Sequence, residues 1–180
     1  MKDADGEGIY VLAATVADPE ECEPIRDRLR SLLVGKARRL HWHTESARRR
    51  RLVAVALAEC GASHTVVIGA PLAARKPERA RRLCLERLVV GLAALEVSHV
   101  LVESRTQRDN ARDAALFDAL RSARVLTAPM TVDFALPTAE PMLWFPDVVA
   151  GAVGARRRGE DEAPWFSLRG TVREIDLRLS

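Results

Sequence analysis

The sequence predicts an α/β domain in which short buried strands alternate with amphipathic helices. Three apolar runs, at 9–16, 65–68 and 98–102, are rich in β-branched residues and are bounded by Gly, Pro or polar residues, as strands are. Each run is followed by a segment whose apolar residues recur at helical spacing. Such alternation favours right-handed crossover connections, so we expect the three runs to be strands of one largely parallel sheet covered by helices.

Length and composition predict a single domain. The chain has 180 residues, of which 48% are hydrophobic and only 4% aromatic, so Leu, Val and Ala must fill the core. No internal repeat or low-complexity linker interrupts it. We expect one domain over 1–180, with its core at about 9–158 and a loop followed by an extended tail at 159–180.

Proline and glycine mark the ends of the expected helices. Pro19 stands at the first turn of one apolar-periodic segment, and Gly35 and Gly61 follow the last turns of two. In the second helix we expect Leu52, Val55, Ala56 and Cys60 to face the core, which leaves the arginines at its start exposed. The helices are expected at about 19–35, 46–60, 77–95, 110–123 and 141–157, with a weaker strand at 131–135.

Several features predict a cytoplasmic protein that does not contact membranes. The chain has no run of about 18 uncharged apolar residues. Its first residues, MKDADGEG, are polar and acidic, unlike a secretory signal. The three cysteines are widely spaced and form no CxxC pair, so we expect reduced thiols. These features leave the oligomeric state open.

Basic residues are concentrated in one part of the chain. The net charge is only +3, but 25 of the 28 basic residues are Arg, and between 36 and 51 Glu45 is the one acid. A second basic cluster lies at 156–158. Such a surplus favours an anionic partner, most commonly nucleic acid, although an ordinary solvated helix face is the alternative. The residues expected to bind nucleic acid phosphates are Arg38, Arg39, Arg48, Arg49, Arg50 and Arg51.

Three common catalytic or cofactor loops are missing from the sequence. It contains no GxGxxG and no GxxxxGK[ST], which disfavours a dinucleotide site and a P-loop. It also contains no GxSxG, so a serine nucleophile elbow is unsupported.

Histidines in the segment LHWHTE are candidates for proton transfer or ligand binding. If the segment is extended, His41, His43 and Glu45 alternate onto one face. Two histidines do not complete a zinc site, and ordinary surface histidines on a polar edge are the alternative. His64 and His99 each open a buried strand and are expected to be structural.

Two carboxylates stand in otherwise apolar segments. Glu103 ends the apolar strand VLVE, at the edge where open α/β sheets place ligands. Asp147 lies within the apolar segment PMLWFPDVVAGAVG, where Gly151 and Gly154 permit close approach to a neighbouring strand. A carboxylate buried alone is costly, so each acid is expected to be paired, hydrogen-bonded or bound to a cation.

The motifs IYVLAATV, LHWHTE, VLVES and PMLWFPDVVAGAV, in this order over residues 9–158, resemble the bacterial family known as domain of unknown function 3800. That resemblance implies an RNase H-like fold, with a central mixed sheet flanked by helices, and a nuclease mechanism that depends on Mg²⁺ or Mn²⁺. It also implies that Glu103 and Asp147 are catalytic metal ligands and that His41 is a catalytic residue.

The chain departs from the family pattern at its start. The family has a strand with an Asp-Glu-Ser motif before IYVLAATV, whereas here only MKDADGEG precedes it, and Asp3 and Asp5 lie too near an expected turn to replace the motif. Either the start lies upstream of Met1 or the first acid is lost. Two-metal catalysis needs several carboxylates, and Glu103 and Asp147 alone would hold one metal.

Three functions therefore remain open from the sequence. The first is a metal-dependent nuclease, or a protein derived from one, that hydrolyses nucleic acid phosphodiesters. The second is a catalytically impaired RNase H-like module that binds nucleic acid or a protein partner. The third is hydrolysis or modification of a phosphorylated small molecule, because the same acids would serve it.

Overall fold

Helices and strands alternate along the chain in the computed structural model, which describes residues 8–72, 77–126 and 129–179. Short 3₁₀ turns at Pro19–Glu21, Trp42–Thr44 and Pro141–Leu143 precede three of the helices. The strands are β1 (Tyr10–Val16), β2 (Ser63–Ala70), β3 (His99–Glu103), β4 (Thr131–Ala135) and β5 (Val172–Arg178). The helices are α1 (Cys22–Ser31), α2 (Ala47–Ala58), α3 (Pro77–Ala93), α4 (Gln107–Ser122), α5 (Trp144–Arg157) and α6 (Ala163–Leu168).

The strand and helix predictions are confirmed up to the tail, with helix ends that differ by a few residues. The first helix, α1, ends at Ser31, four residues before Gly35. Helix α4 begins three residues earlier than expected because Thr106 caps it by accepting a hydrogen bond from the Asp109 amide. The tail is extended only in its last part: Ala163–Leu168 is the helix α6, and Val172–Arg178 is the strand β5. In β5, Ile175 and Leu177 alternate with charged residues, which suits a strand that pairs with β2.

The strands form two sheets, so the expectation of one largely parallel sheet is wrong. β2 is the centre of a mixed sheet, antiparallel to β1 and parallel to β5. β3 pairs in parallel with β4 in a separate two-stranded sheet. An apolar run identifies a strand but does not show which strand it pairs with. Because the connection through α1 and α2 is long, β2 could pair with β1 in either the parallel or the antiparallel direction.

The two sheets share a helical layer, so the described residues form a single compact α/β domain. On one face, α3 and α4 pack against half-buried side chains of both sheets, among them Leu12 of β1 and Val100 of β3. On the other face, α1, α2 and α5 cover the three-stranded sheet through Val66 and Ile68 of β2. In the part of the chain that the structure describes, no helix is long and apolar enough to cross a bilayer.

The expected face of α2 is only partly the one that is buried: Ala56 is buried and Cys60 is half-buried, but Leu52 and Val55 are not. Leu52 and Val55 are 54% and 48% exposed, whereas Val53 and Leu57 are buried. The apolar sequence LVAVALA covers nearly every side of the helix, so its periodicity does not select a face. The face that α2 buries is the one that packs with α5 and α6.

His64 lies at the start of β2 and is buried, as the structural role expected for it requires. Its Nδ1 is 3.0 Å from Thr15 Oγ1 of β1, and its ring lies against Phe145 of α5. Among the described residues its Nε2 has no hydrogen-bond partner. Burial lowers the pKa of His64 to about 4, because a charged imidazolium would lose its hydration there.

This burial makes the stability of the protein depend on pH. Because the folded-state pKa lies below the unfolded value, the unfolded chain binds the proton more tightly, and stability falls as the pH drops from about 6.5 towards 4. We expect His64 to account for a loss of about 2 kcal/mol between pH 7 and pH 5. Urea unfolding at both pH values measures it. A His64→Gln variant should lose this component, and His99→Gln, which changes an exposed histidine, should keep it.

Candidate functional site

Three segments that are distant in the sequence meet around one small cavity of about 90 Å³. They are the loop before α2, the carboxyl end of β3 with the segment that follows β4, and the first turn of α5. The wall carries two carboxylates, one guanidinium and one imidazole. The lining residues are Arg39, Leu40, His41, Glu103, Pro137, Leu143, Trp144 and Asp147.

The histidine segment is a turn, so the extended conformation on which the alternation of its side chains depended is not present. Trp42–Thr44 forms a 3₁₀ turn, closed by the Thr44 amide donating to the His41 carbonyl. His41 faces the cavity, but His43 is exposed and Glu45 pairs with Arg49. The alternation of His41, His43 and Glu45 onto one face is therefore wrong, because the turn breaks the period of two.

Asp147 fixes this segment against α5. Its Oδ2 accepts a hydrogen bond from the Trp42 amide at 2.7 Å and lies 3.1 Å from His41 Nδ1. Asp147 is in the first turn of α5, where a negative charge is favoured by the helix dipole. A carboxylate only accepts hydrogen bonds, so a hydrogen bond between His41 and Asp147 requires the proton to be on His41 Nδ1. In a neutral imidazole the other nitrogen, Nε2, then carries no proton and can accept one.

Glu103 stands at the carboxyl end of β3, on another side of the cavity. Its Oε1 lies 3.9 Å from Arg39 Nη1, which is an ion pair but too long for a hydrogen bond. The two side chains are 54% and 40% exposed. An exposed ion pair of this kind contributes little to stability. Glu103 and Arg39 can therefore separate and each contact a ligand at a small cost in free energy.

The residues present suit one hard divalent ion better than two. Mg²⁺ is commonly held by one or two carboxylates together with water and substrate phosphate, and Glu103 and Asp147 provide that number. Asp147 Oδ2 already has two partners, whereas no hydrogen bond is made to Oδ1 by the residues that the structure describes. The described residues contain no group of three or more His, Cys, Asp or Glu side chains placed to hold a metal. A two-metal arrangement is therefore not supported by these residues.

The arginine run at the start of α2 divides into exposed and internal members. Arg48 is exposed. Arg49 donates to the Leu32 carbonyl. Arg50 Nε donates to the Trp42 carbonyl at 2.9 Å, and its guanidinium lies 4.7 Å from the centre of a Trp42 ring. Arg51 pairs with Asp161 at 3.0 Å. Of the six arginines expected to bind phosphate, Arg38, Arg39 and Arg48 are the ones without a close internal hydrogen bond among the described residues.

The second basic cluster, at 156–158, also has internal partners. Arg156 and Arg157 both bond Glu174 of β5, at 2.5 and 2.7 Å, and the guanidinium of Arg156 stacks on Trp165. Arg158 pairs with Glu160. Arg156 and Arg157 therefore join α5 to α6 and β5, which is a structural role for these two arginines.

Sequence reasoning did not identify the walls of the cavity or the role of the Trp42 amide. Leu143 and Trp144 line the cavity just before Asp147, and the Trp144 indole donates to the Pro137 carbonyl at 2.6 Å. The signal that could have found them is the apolar segment PMLW, which ends three residues before the acid. A backbone donor such as Trp42 N–H carries no signal in the sequence.

Comparisons with protein-family models, with curated proteins and with solved structures found no match for this chain. The geometry of the site is accordingly the basis on which a function is proposed.

Proposed function

We propose that this chain hydrolyses phosphodiester bonds of nucleic acid at the cavity formed by Arg39, His41, Glu103 and Asp147. The observation that carries the proposal is the meeting of these four side chains, from three separate segments, on one cavity. Two are carboxylates, one is a cation and one is a histidine whose Nδ1 contacts a carboxylate. This combination provides the general base and the positive charge that cleavage of a phosphodiester requires.

In the proposed reaction His41 is the general base. Its Nε2 removes a proton from a water molecule as the water oxygen bonds to phosphorus, and the bond from phosphorus to the leaving oxygen breaks. The leaving oxygen takes its proton from solvent or from the protonated His41. Asp147 holds the ring and stabilises the imidazolium that forms, while Arg39 binds the non-bridging phosphate oxygens.

The two carboxylates could also hold one divalent ion. Glu103 and Asp147 Oδ1 would contact Mg²⁺ or Mn²⁺, and the bound ion would neutralise phosphate charge and lower the pKa of a coordinated water. Occupation by the ion would separate Glu103 from Arg39, which their 3.9 Å ion pair permits at little cost.

The size of the cavity and the nearby charge favour a polymer over a small molecule. About 90 Å³ is well below the roughly 300–1,000 Å³ of pockets that enclose a drug-sized ligand, so a phosphate group can enter while the rest of the substrate stays outside. Arg38 and Arg48 are exposed in the same basic part of the chain. The resemblance to the domain of unknown function 3800 family agrees with a nuclease, and an RNase H-like fold is part of this proposal.

A cleavage assay tests the proposal. The purified full chain would be incubated with single- and double-stranded DNA and RNA, in Mg²⁺, in Mn²⁺ and in EDTA. We expect cleavage of at least one substrate by the wild type, a strong loss in Glu103→Gln, and unchanged cleavage in Asp118→Asn, which alters a carboxylate that is 74% exposed on α4. Equal product from the wild type and Glu103→Gln would contradict it.

A non-catalytic module that binds nucleic acid is the second candidate. It is favoured by the fact that each carboxylate already has a partner in the protein, Arg39 for Glu103 and His41 for Asp147. Such a module would retain the basic surface but would not need a metal or a base.

Salt dependence measures how far the exposed arginines contact phosphate. We expect the double replacement Arg38→Gln, Arg48→Gln to weaken binding and to reduce the slope of log Kd against log salt by about one for each lost contact. Fluorescence anisotropy with a labelled oligonucleotide measures both. Replacement of Arg79 and Arg82 on α3, which lies on the opposite face of the sheet, is the control. An unchanged slope in the first variant would assign these arginines to an ordinary solvated face.

A further inference from the structure

The indole of Trp42 lies directly against the backbone of α5, in a recess that exists because residue 151 is glycine. A Cβ added at Gly151 would overlap Cγ, Cδ1 and Cδ2 of the indole. Trp42 is 3% exposed and belongs to the core on this face of the sheet. The nearest neighbour at Gly151 is thus a side chain of the loop before α2, and not the strand expected from the sequence.

Hydrogen bonds also hold both backbone groups of Trp42, its amide and its carbonyl. The Trp42 amide donates to Asp147 Oδ2 at 2.7 Å, and its carbonyl accepts from Arg50 Nε at 2.9 Å. Asp147 and Gly151 are four residues apart on α5 and therefore lie on the same face of that helix. One face of α5 thus supplies both the acceptor for the backbone of Trp42 and the recess for its ring.

His41 is the residue directly before Trp42 and depends on this arrangement. The Nδ1 to Oδ2 distance of 3.1 Å requires the loop and α5 to keep a fixed relative position. The geometry points to Trp42 and Gly151 as positioning residues that hold the His41 ring against Asp147 and so keep its proton on Nδ1. This inference rests on the proposed function for the role of His41 as base, but the position of the ring is measurable without any activity.

Nitrogen NMR of the histidine rings, combined with cleavage kinetics, tests the inference. In the neutral wild-type protein we expect His41 to populate the tautomer that carries the proton on Nδ1. In Gly151→Ala the added methyl group displaces the indole, and we expect mixed tautomers and a kcat lower by about 10²-fold with a smaller change in KM. Gly91→Ala is the matched control, because a Cβ at that helical glycine meets open space.

A further variant separates positioning from folding. Gly151→Ala combined with Trp42→Leu relieves the overlap, so we expect a folded protein in which the His41 tautomers are still mixed. A single Nδ1-protonated tautomer in either variant, or a mixture of tautomers in the wild type, would overturn the inference. A fixed wild-type tautomer that is lost in the variants, in a protein that cleaves no substrate, would uphold the positioning role and reject the proposed function.

Discussion

Replacement of His41 by Ala is expected to slow cleavage of nucleic acid by about 10²–10⁴-fold, the usual contribution of a general base. The ring is 32% exposed at the cavity, and its Nδ1 contact with Asp147 leaves Nε2 to accept the proton of the attacking water. Single-turnover rates at saturating protein measure the chemical step separately from binding. Affinity for an uncleavable oligonucleotide should change little.

The neighbouring histidine is the matched control for this prediction. His43 is two residues away, is exposed and has no contact with Asp147 among the described residues, although its ring centre is 5.7 Å from that of His41. His43→Ala should therefore cleave at close to the wild-type rate. Equal losses in His41→Ala and His43→Ala would mean that the loop as a whole, and not the His41 ring, supports the activity.

The largest expected effect on stability is at Asp113 of α4, which does not line the cavity. Its carboxylate is 5% exposed and accepts hydrogen bonds from Arg81 of α3 at 2.8 Å and from Arg105 at 3.3 Å. Burial alone would lower the pKa of Arg81, but its interactions with Asp113 and Tyr10 together outweigh burial and raise that pKa above its ordinary value. Asp113→Ala leaves the Arg81 charge buried without its partner, so we expect a loss of about 3–5 kcal/mol in unfolding free energy.

Two further variants distinguish a buried ion pair from ordinary helix stability. Asp118→Ala on the same helix removes an exposed partner of Arg121 and should change the unfolding free energy by less than about 1 kcal/mol. The double replacement Arg81→Met, Asp113→Leu should recover most of the loss, because it removes both charges together. Chemical unfolding of the three variants measures this. A loss at Asp113 no larger than at Asp118 would contradict the account.

Sequence patterns identified the strands more reliably than their partners. The runs that became β1, β2 and β3 are short and apolar, and burial requires their backbones to pair, so their strand character follows locally. Whether β3 pairs with β1 or with β4 depends on where the connecting helices pack, which no single run encodes. The face of α2 was unpredictable for a related reason, since Leu52 and Val53 are both apolar and only tertiary packing decides which is buried.

The candidate site was predictable where a polar residue interrupts an apolar segment. Glu103 and Asp147 were identified in this way, and the structure places both on one cavity with His41. Asp113 was not identified, although it shares a helical face with Leu116, Phe117 and Leu120, because the sequence that precedes it is mostly polar. The division of the arginine run was also unpredictable, since Arg49 bonds a carbonyl that is distant in the sequence.

A double-mutant cycle on Glu103 and Asp147 tests most directly whether these residues form one phosphodiester-cleaving site. Asn at 147 still offers an acceptor to the Trp42 amide, so Asp147→Asn removes charge while the loop remains attached to α5. We expect each of Glu103→Gln and Asp147→Asn to lower kcat/KM by about 10²–10³-fold, and the double variant to be no slower than the worse single variant, because residues that act as a unit are not additive. Wild-type rates in both single variants, or losses that multiply in the double variant, would contradict a shared site.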